Sequence, residues 1–393
     1  MANFKEDFLI DDEVIFLNHG SFGACPRPVF ETYQAWQARL EVQPVDFLGR
    51  QAADLMATAR EKLSAYLNNE PENIVYFPNP TTAINMVARS LDLQAGDQIL
   101  TTDHEYGAME RTWRFICGKF GTEYIKHPIS IPVSNHVDFV ESFWEAVTPH
   151  TKVIFISHIT SPTSLIFPVT EICRRAKETG ITSIVDGAHA PGQIPVNLTS
   201  IGADIYTGAC HKWLCAPKGS AFLYADPDIQ PMLEPLVVSW GFEAEEPGLS
   251  QFIDYHEWQG TRDLAAFLSV PRAIQYQEEN QWEEVRLRCH RLAEIAHKKI
   301  TDLTKKEPIS PNGSEWFAQM VAMRMPDSIN PDDLKKRLYK DFQIEVPVYS
   351  WNEMPFLRLS FQAYNQPGEL VTLLEGLQNL IPLTDSGGKN ESD

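Results

Sequence analysis

The fold of this chain is decided by two stretches, Ile184-Val-Asp-Gly-Ala-His-Ala-Pro-Gly192 and Tyr206-Thr-Gly-Ala-Cys-His-Lys-Trp-Leu-Cys-Ala-Pro-Lys-Gly219. Each follows a short apolar run that predicts a buried strand, and each continues in small residues that predict a tight turn. Asp186 lies at the end of the first strand and Lys212 follows the next one. Parallel strands need a crossover between them, and the spacing fits one helical crossover.

Lys212 and Asp186 are the two groups that pyridoxal 5'-phosphate (PLP) requires from a protein. A lysine amine can form a Schiff base, and a carboxylate keeps the pyridine nitrogen protonated because opposite charges attract. The alternative is a surface lysine and a helix-capping aspartate. The Gly, Ala, His and Cys residues that flank Lys212 are typical of a tight environment, so they favour a PLP site.

Short apolar runs alternate with helical segments between residues 73 and 225. This alternation predicts an α/β fold with a mostly parallel seven-stranded sheet that is covered by helices on both faces. The predicted strands are Ile74–Phe77, Gln98–Thr101, Glu123–Lys126, Val153–Ser157, Thr182–Asp186, Ala203–Tyr206 and Ser220–Tyr224. Ligands of such sheets bind beyond the carboxyl ends of the strands, where the chemically active residues of this chain converge.

The pattern changes after about residue 265 and predicts a smaller α+β unit. We therefore expect a large domain over 14–265, a small domain formed by 1–13 and 266–383, and a disordered tail over 384–393. Residues 1–13 are expected to pack against another part of the chain. The predicted elements are a long helix through about 303 with Val285, Leu287, Leu292 and Ile295 in its periodic pattern, strands over 317–325, 344–349 and 356–361, and helices over 331–340 and 367–380.

Composition excludes several classes of protein. A formal charge of −20 disfavours binding to nucleic acid or to an anionic membrane, and 43% hydrophobic residues argue against global disorder. The six cysteines form no CxxC pair, and Cys210 and Cys215 lack further metal ligands nearby. Scattered cysteines and the absence of an apolar leader or long apolar stretch predict a cytoplasmic protein with no metal site and no membrane helix.

Five motifs resemble the class V aminotransferase family of fold-type I PLP enzymes, and the match spans nearly the whole chain. They are LNHGSFG at 17–23, SHITSPTS at 157–164, VDGAHAPG at 185–192, HKWLCAPKG at 211–219 and RLSFQAYN at 358–365. The branch they resemble contains isopenicillin N epimerases, cysteine desulfurases, C–S lyases and hercynylcysteine sulfoxide lyases. The resemblance implies a homodimer with shared active sites.

The resemblance also assigns roles around the cofactor. Lys212 would form the Schiff base and move the Cα proton, and Asp186 would pair with the pyridine nitrogen. His104 would stack its ring on PLP, and His189 would lie near the phenolic oxygen. Ser161 stands where relatives often have Asn, as a further contact.

The phosphate is expected at the start of a helix, where Thr81 and Thr82 offer hydroxyls and free backbone N–H groups. An ordinary threonine helix cap is compatible with the same residues. The resemblance adds His211 and, from the neighbouring subunit, Thr261. It further implies that Arg358 grips the substrate α-carboxylate, a task that suits a planar guanidinium.

Around the substrate, the resemblance places Asn18 and His19 so that they could close the pocket, and Arg50 is a weaker candidate for the distal end. His19, Tyr364 or a water could supply a second proton. The leading hypothesis is an epimerase or racemase that acts at Cα of an amino acid through the Schiff base and a quinonoid. A C–S lyase acting on cysteine, cystine or a cysteine conjugate and a class V aminotransferase remain alternatives.

Other classes fit the sequence less well. Residues 342–358 contain no cysteine, which argues against a desulfurase that relays a persulfide from that loop. A protein with this fold that has lost catalysis is disfavoured by the intact Lys212, Asp186, His104 and Arg358. A nucleotide-binding Rossmann enzyme is disfavoured because no GxGxxG follows an early strand.

Overall fold

The computed structural model describes residues 4–248 and 250–381. The strands are β1 Ile15–Phe16, β2 Ile74–Phe77, β3 Gln98–Thr102, β4 Glu123–His127, β5 Thr151–Ser157, β6 Thr182–Asp186, β7 Ile205–Ala209, β8 Ala221–Ala225, β9 Met320–Arg324, β10 Ile344–Glu345, β11 Val348–Trp351 and β12 Met354–Ser360. The α-helices are α1 His19–Phe22, α2 Arg27–Val42, α3 Pro44–Asp46, α4 Ala52–Leu67, α5 Pro80–Ser90, α6 Gly107–Phe120, α7 His136–Trp144, α8 Val169–Thr179, α9 Leu198–Ile201, α10 Gln251–Glu257, α11 Ala265–Leu268, α12 Val270–Glu279, α13 Trp282–Thr304, α14 Pro331–Phe342 and α15 Pro367–Leu380.

The central sheet has seven strands in the order β2-β8-β7-β6-β5-β3-β4. β8 pairs antiparallel with both of its neighbours, whereas the pairs among β3, β4, β5, β6 and β7 are parallel. All strands of the sheet except β8 therefore end at one edge. The predicted α/β fold with a mostly parallel seven-stranded sheet is confirmed, as is the helical crossover between β6 and β7, which is the short α9.

Except at the edge strand β4, both faces of this sheet are buried, as strands between two helical layers require. Successive side chains of a strand point to opposite faces. In β5, Val153 and Phe155 pack into one apolar cluster, and Ile154 and Ile156 pack into the other. The cluster around Phe155 includes Trp113 of α6, so the two layers are built by alternate residues of the same strands.

Helix α5 starts after a link of two residues from the end of β2. The side-chain oxygen of Asn79 accepts a hydrogen bond of 2.8 Å from the Thr82 N–H, and Pro80 occupies the first turn, where its missing N–H costs nothing. This cap fixes Thr81 and Thr82 at the edge where the parallel strands end.

The C-terminal part contains an antiparallel sheet in the order β11-β12-β9, and β1 pairs in parallel with β10. The prediction of one strand over 344–349 is wrong, because the chain forms β10 and β11 with Pro347 between them. Proline has no N–H to donate to a ladder and interrupts the strand. Arg358 lies within β12, which is the middle strand of this sheet.

The prediction of one continuous long helix is also wrong. It divides into α11, α12 and α13, and Gln281 before α13 adopts a left-handed φ of 50°. Val285 and Leu292 are buried, but Leu287 is 52% exposed and Ile295 is also exposed. Val285 and Leu292 are two helical turns apart and share one face, which Leu287 does not.

Phe4 and Phe8, near the start of the described chain, pack on C-terminal elements, with ring centroids 6.1 Å from Trp282 and 4.9 Å from Tyr364. The division into domains at residue 265 stays a prediction, and the tail over 384–393 lies outside the described residues. Among the described helices, none is long and apolar enough to cross a membrane.

Candidate active site

Lys212 lies in the turn between β7 and β8, and two glycines hold its backbone in place. Gly192 has a φ of +88° and lies against the backbone of Trp213. Gly23 has a φ of +70°, and a Cβ on it would overlap the carbonyl group of His211. Only glycine combines this backbone conformation with so close an approach. The LNHGSFG loop therefore packs directly on the lysine turn.

The Lys212 amine is partly buried and lies 3.1 Å from Nε2 of His189. Burial lowers its pKa to about 8, the charge of Asp186 opposes this shift, and Arg358 adds to it. A lysine with this pKa is partly neutral near neutral pH, so it can act as a nucleophile or a base. Nδ1 of His189 accepts a hydrogen bond of 3.2 Å from the indole of Trp213.

Asp186 ends β6 in a buried position, between Ser157 and Thr207 of the adjacent strands. Burial raises its pKa, while the Ala188 N–H, which donates to Oδ1 at 2.9 Å, and the charge of Lys212 lower it. No donor among residues 4–248 and 250–381 bonds Oδ2. That oxygen can therefore accept a hydrogen bond from a ligand.

An anion-binding corner lies at the start of α5. Asn79 accepts hydrogen bonds from both the N–H and the hydroxyl of Thr82. The N–H and hydroxyl of Thr81 have no partner in the described part of the chain. Thr81 and Thr82 line an open cavity of about 450 Å³. Nδ1 of His211 bonds the Ser220 carbonyl at 2.9 Å, which leaves its Nε2 for a ligand. Burial lowers the pKa of His211 to about 4.

Arg358 is a buried cation, 6% exposed. Its Nη1 donates to the carbonyl and hydroxyl of Ser161 at 2.7 and 3.1 Å, and Nη2 donates to the Ser21 hydroxyl at 3.1 Å. Nε is buried without a partner, and no carboxylate of the described residues pairs with this guanidinium. Burial lowers its pKa. A buried arginine without a counter-charge is costly, which points to an anionic ligand.

Asn18 and His19 contact residues that surround Lys212 and Arg358. Asn18 accepts from the Ser21 hydroxyl at 2.5 Å, so it reaches Arg358 indirectly. The ring nitrogens of the buried His19 lie 3.0 Å from the Tyr364 hydroxyl and 3.0 Å from the Lys212 carbonyl. Burial lowers the pKa of His19 to about 3. Neither residue lines the cavity beside Arg358.

His104 follows β3, and its ring is 0% exposed. Nε2 bonds the Ile129 carbonyl at 3.1 Å and Nδ1 bonds the Thr163 hydroxyl at 2.6 Å. Tyr106, two residues on, is 48% exposed and lines a cavity of about 390 Å³ together with Arg358 and Ser161. The family resemblance assigned the ring contact to His104, and sequence reasoning missed Tyr106.

Glu105 is a second residue that sequence reasoning missed. It is buried and accepts hydrogen bonds from Thr102 at 2.7 Å and Ser157 at 2.5 Å. Burial raises its pKa to about 7, these hydroxyls oppose the shift, and the charge of Asp186 adds to it. The available signal was an acidic residue three positions after the end of an apolar strand.

Two predicted residues lie apart from this cluster. Thr261 is exposed in the loop before α11. Arg50 is exposed, pairs with Asp46 at 3.0 Å, and lines a different cavity of about 660 Å³ that also contains Arg60. In the described part of the chain, neither Thr261 nor Arg50 lines the cavity beside Arg358.

The residues present fit PLP. Lys212 supplies a partly neutral amine, and Asp186 has an oxygen free for a ring nitrogen. Thr81 and His211 have polar atoms that are free to bind a phosphate, and Arg358 has no anionic partner among the described residues. The donor set matches each polar part of the cofactor and of an amino acid.

Comparisons with known proteins agree with this chemistry. The family model described as aminotransferase class-V matches residues 23–373. The chain is 36% identical to the isopenicillin N epimerase of Amycolatopsis lactamdurans, over 96% of this chain and 98% of that protein. It is 25% identical to an L-cysteine desulfhydrase of Arabidopsis thaliana, over 93% and 87%.

The fold resembles that of a solved C-DES variant with glycine covalently linked to its PLP cofactor. The TM-score is 0.83 at 21% identity, and the match covers 94% of this chain and 97% of that one. The chain belongs to the aminotransferase class-V family of PLP-dependent enzymes.

Proposed function

We propose that this enzyme acts at the Cα of an amino acid and inverts that centre as an epimerase. The observation that carries the proposal is one cluster in which the partly neutral Lys212 lies near a buried carboxylate, Asp186, and an unpaired buried cation, Arg358. The extent of the similarity to an isopenicillin N epimerase supports inversion over other outcomes.

Bound PLP supplies an electron sink for negative charge at Cα. Asp186 would hold the ring nitrogen in its protonated form, and Lys212 would link to the cofactor and then carry the Cα proton on Nζ. Thr81, Thr82 and His211 would hold the phosphate, whose charge would raise the pKa of the His211 ring.

Arg358 would bind the substrate α-carboxylate. Ser161 and Ser21 already fix the orientation of its guanidinium, so little side-chain entropy remains to be lost on binding. Asn18 would support Ser21, and His19 would support the Lys212 backbone. In this proposal both act through other residues and not by touching the substrate.

Inversion also needs a proton carrier that is distinct from Lys212. His19 and Tyr364 are buried and bonded to each other, whereas Tyr106 has exposed surface in the Arg358 cavity. We therefore propose Tyr106 for this role and for the aromatic contact with the cofactor that His104 was expected to make. Tyr106→Phe should keep exchange of the Cα proton with solvent and lose inversion. Loss of both together, or of neither, would contradict this assignment.

The active enzyme would be a homodimer in which Thr261 of a second copy completes the phosphate site. An exposed apolar run supports a second copy as its partner, because exposed patches of this kind mark association surfaces. It contains Leu236, Val237, Val238, Trp240 and Phe242, and Trp240 is 87% exposed. Leu236 also lines the cavity at Thr81 and Thr82, so the run is adjacent to the phosphate site.

A C–S lyase is the second candidate, and the similarity to an L-cysteine desulfhydrase favours it over transamination. Incubation with L-amino acids, cystine and cysteine conjugates separates the two candidates. The epimerase proposal expects the D-enantiomer at Cα without pyruvate, measured by chiral chromatography. Pyruvate with released sulfide or thiol would overturn it in favour of the lyase, and an oxo acid formed only with an amino acceptor would indicate an aminotransferase.

A further inference from the structure

Trp213 follows Lys212 directly, and its indole is fully buried. The indole Nε1–H donates to Nδ1 of His189 at 3.2 Å. An indole nitrogen can only donate, so Nδ1 of His189 is an acceptor and carries no proton. Gln277 donates to the Trp213 carbonyl at 2.9 Å and Gly192 packs on its backbone, so the indole is fixed in this position.

The single proton of neutral His189 therefore lies on Nε2, which faces the Lys212 amine at 3.1 Å. An N–H donor can bond a neutral amine but not an ammonium group. The doubly protonated ring is disfavoured because burial, together with the positive charges of Lys212 and Arg358, holds the pKa of His189 well below its usual range.

We propose that Trp213 is a positioning residue that fixes the proton of His189 on Nε2 and thereby favours the uncharged form of the Lys212 nitrogen. It is fully buried and would act through His189. The inference rests on the proposed role of Lys212, and the experiment below separates the two.

Other charges also face the Lys212 nitrogen. Asp186 favours its charged form and Arg358 disfavours it, while His211 and His19 add to the field at His189. None of these groups depends on the indole N–H. A change confined to that N–H therefore isolates the effect of the His189 tautomer.

Trp213→Phe keeps an aromatic ring and removes the donor. The proton of His189 can then move to Nδ1, so Nε2 becomes an acceptor for the charged Lys212 nitrogen. We expect the pKa of the Lys212 nitrogen, read from the visible absorbance of bound PLP in the holoenzyme, to rise by roughly 0.5 to 1 unit. Trp113→Phe is the matched control, because the Trp113 indole is fully buried with an unpartnered Nε1 and should leave this pKa unchanged.

A folded Trp213→Phe enzyme, shown by thermal unfolding, whose pKa stays constant or falls would overturn the inference. So would an equal shift in the Trp113→Phe control. If Lys212→Ala retains the same visible band, the proposed role of Lys212 fails instead.

A measurement on the unaltered holoenzyme covers the case in which Trp213→Phe does not fold. Nitrogen-15 NMR should show His189 protonated on Nε2 and not on Nδ1, with its signals identified by their loss in His189→Gln. A proton on Nδ1 would contradict the inference.

Discussion

At the scale of single residues, Arg358 is a buried cation without a counter-charge among the described residues, and we propose that it binds the substrate α-carboxylate. We expect Arg358→Ala to lower kcat/KM for an amino-acid substrate by roughly 10- to 100-fold, because a charged hydrogen bond contributes ~1.5–3 kcal/mol. The loss should be much smaller for the corresponding α-carboxamide, which carries no charge. Arg174→Ala, which removes an exposed arginine paired with Glu171 and Glu178, is the control. Equal losses for acid and amide would remove Arg358 from the carboxylate site.

Glu105 gives a pH dependence with a definite sign. Its pKa is raised from 4.5 to about 7, so the folded state binds more protons between these values and loses stability as the pH rises through this window. We expect Glu105→Gln to flatten this slope, a change that totals up to roughly 3 kcal/mol across the window, measured as the free energy of urea unfolding at several pH values. A slope identical to that of the parent enzyme would show that Glu105 ionises normally.

Residue types and order predict only part of this cluster. Lys212 and Asp186 were predicted as site residues because an amine and a carboxylate each come at or after the end of an apolar strand. Trp213 and Tyr106 could not be predicted this way, because the roles that we propose for them depend on which side chains meet in space. A tryptophan in a motif does not reveal that its N–H faces a histidine.

At the scale of elements, the strand ends were predictable because alternating apolar runs specify a parallel sheet. The break at Pro347 was a missed signal, since proline interrupts a strand for a known reason. The division of the long helix was not predictable from periodicity. Gln281 adopts a left-handed conformation, but no glycine stands at that position to mark the break.

The contact between the LNHGSFG loop and the lysine turn is testable at the same scale. Gly23 and Gly180 share a φ of +70°, but only Gly23 has neighbours that a Cβ would overlap. Gly180→Ala should cost about 1–2 kcal/mol from backbone strain alone. We expect Gly23→Ala to cost more and also to weaken PLP retention, because it displaces the backbone of Lys212.

Urea unfolding and the absorbance of bound PLP measure these two effects. Equal costs for both variants, with PLP fully retained in Gly23→Ala, would show that the loop does not position the lysine.

At the scale of the whole molecule, the two sheets supply different halves of the proposed site. The seven-stranded sheet carries Asp186 and Lys212 at its edge, and the three-stranded sheet carries Arg358. The sequence predicted both sheets, but it could not show how they meet, since the contacts of Arg358 with Ser161 and Ser21 join residues far apart in the chain.

The exposed Trp240 provides a test of assembly. We expect Trp240→Ser to shift the protein toward monomer in sedimentation velocity and to weaken PLP retention, because the apolar run borders the phosphate site. Val137→Ser, which removes an exposed valine on α7, should change neither property. A parent enzyme that sediments as a monomer with its full content of PLP would contradict the shared-site proposal.

The most direct test of the account needs no substrate. Borohydride reduction of the holoenzyme, followed by proteolysis and mass spectrometry, identifies the lysine that carries the pyridoxyl group. The account predicts that the group is on Lys212. Lys218 lies in the same turn as Lys212, and its amine donates to the Gly23 carbonyl. The pyridoxyl group on Lys218 or on any other lysine would contradict the central assignment.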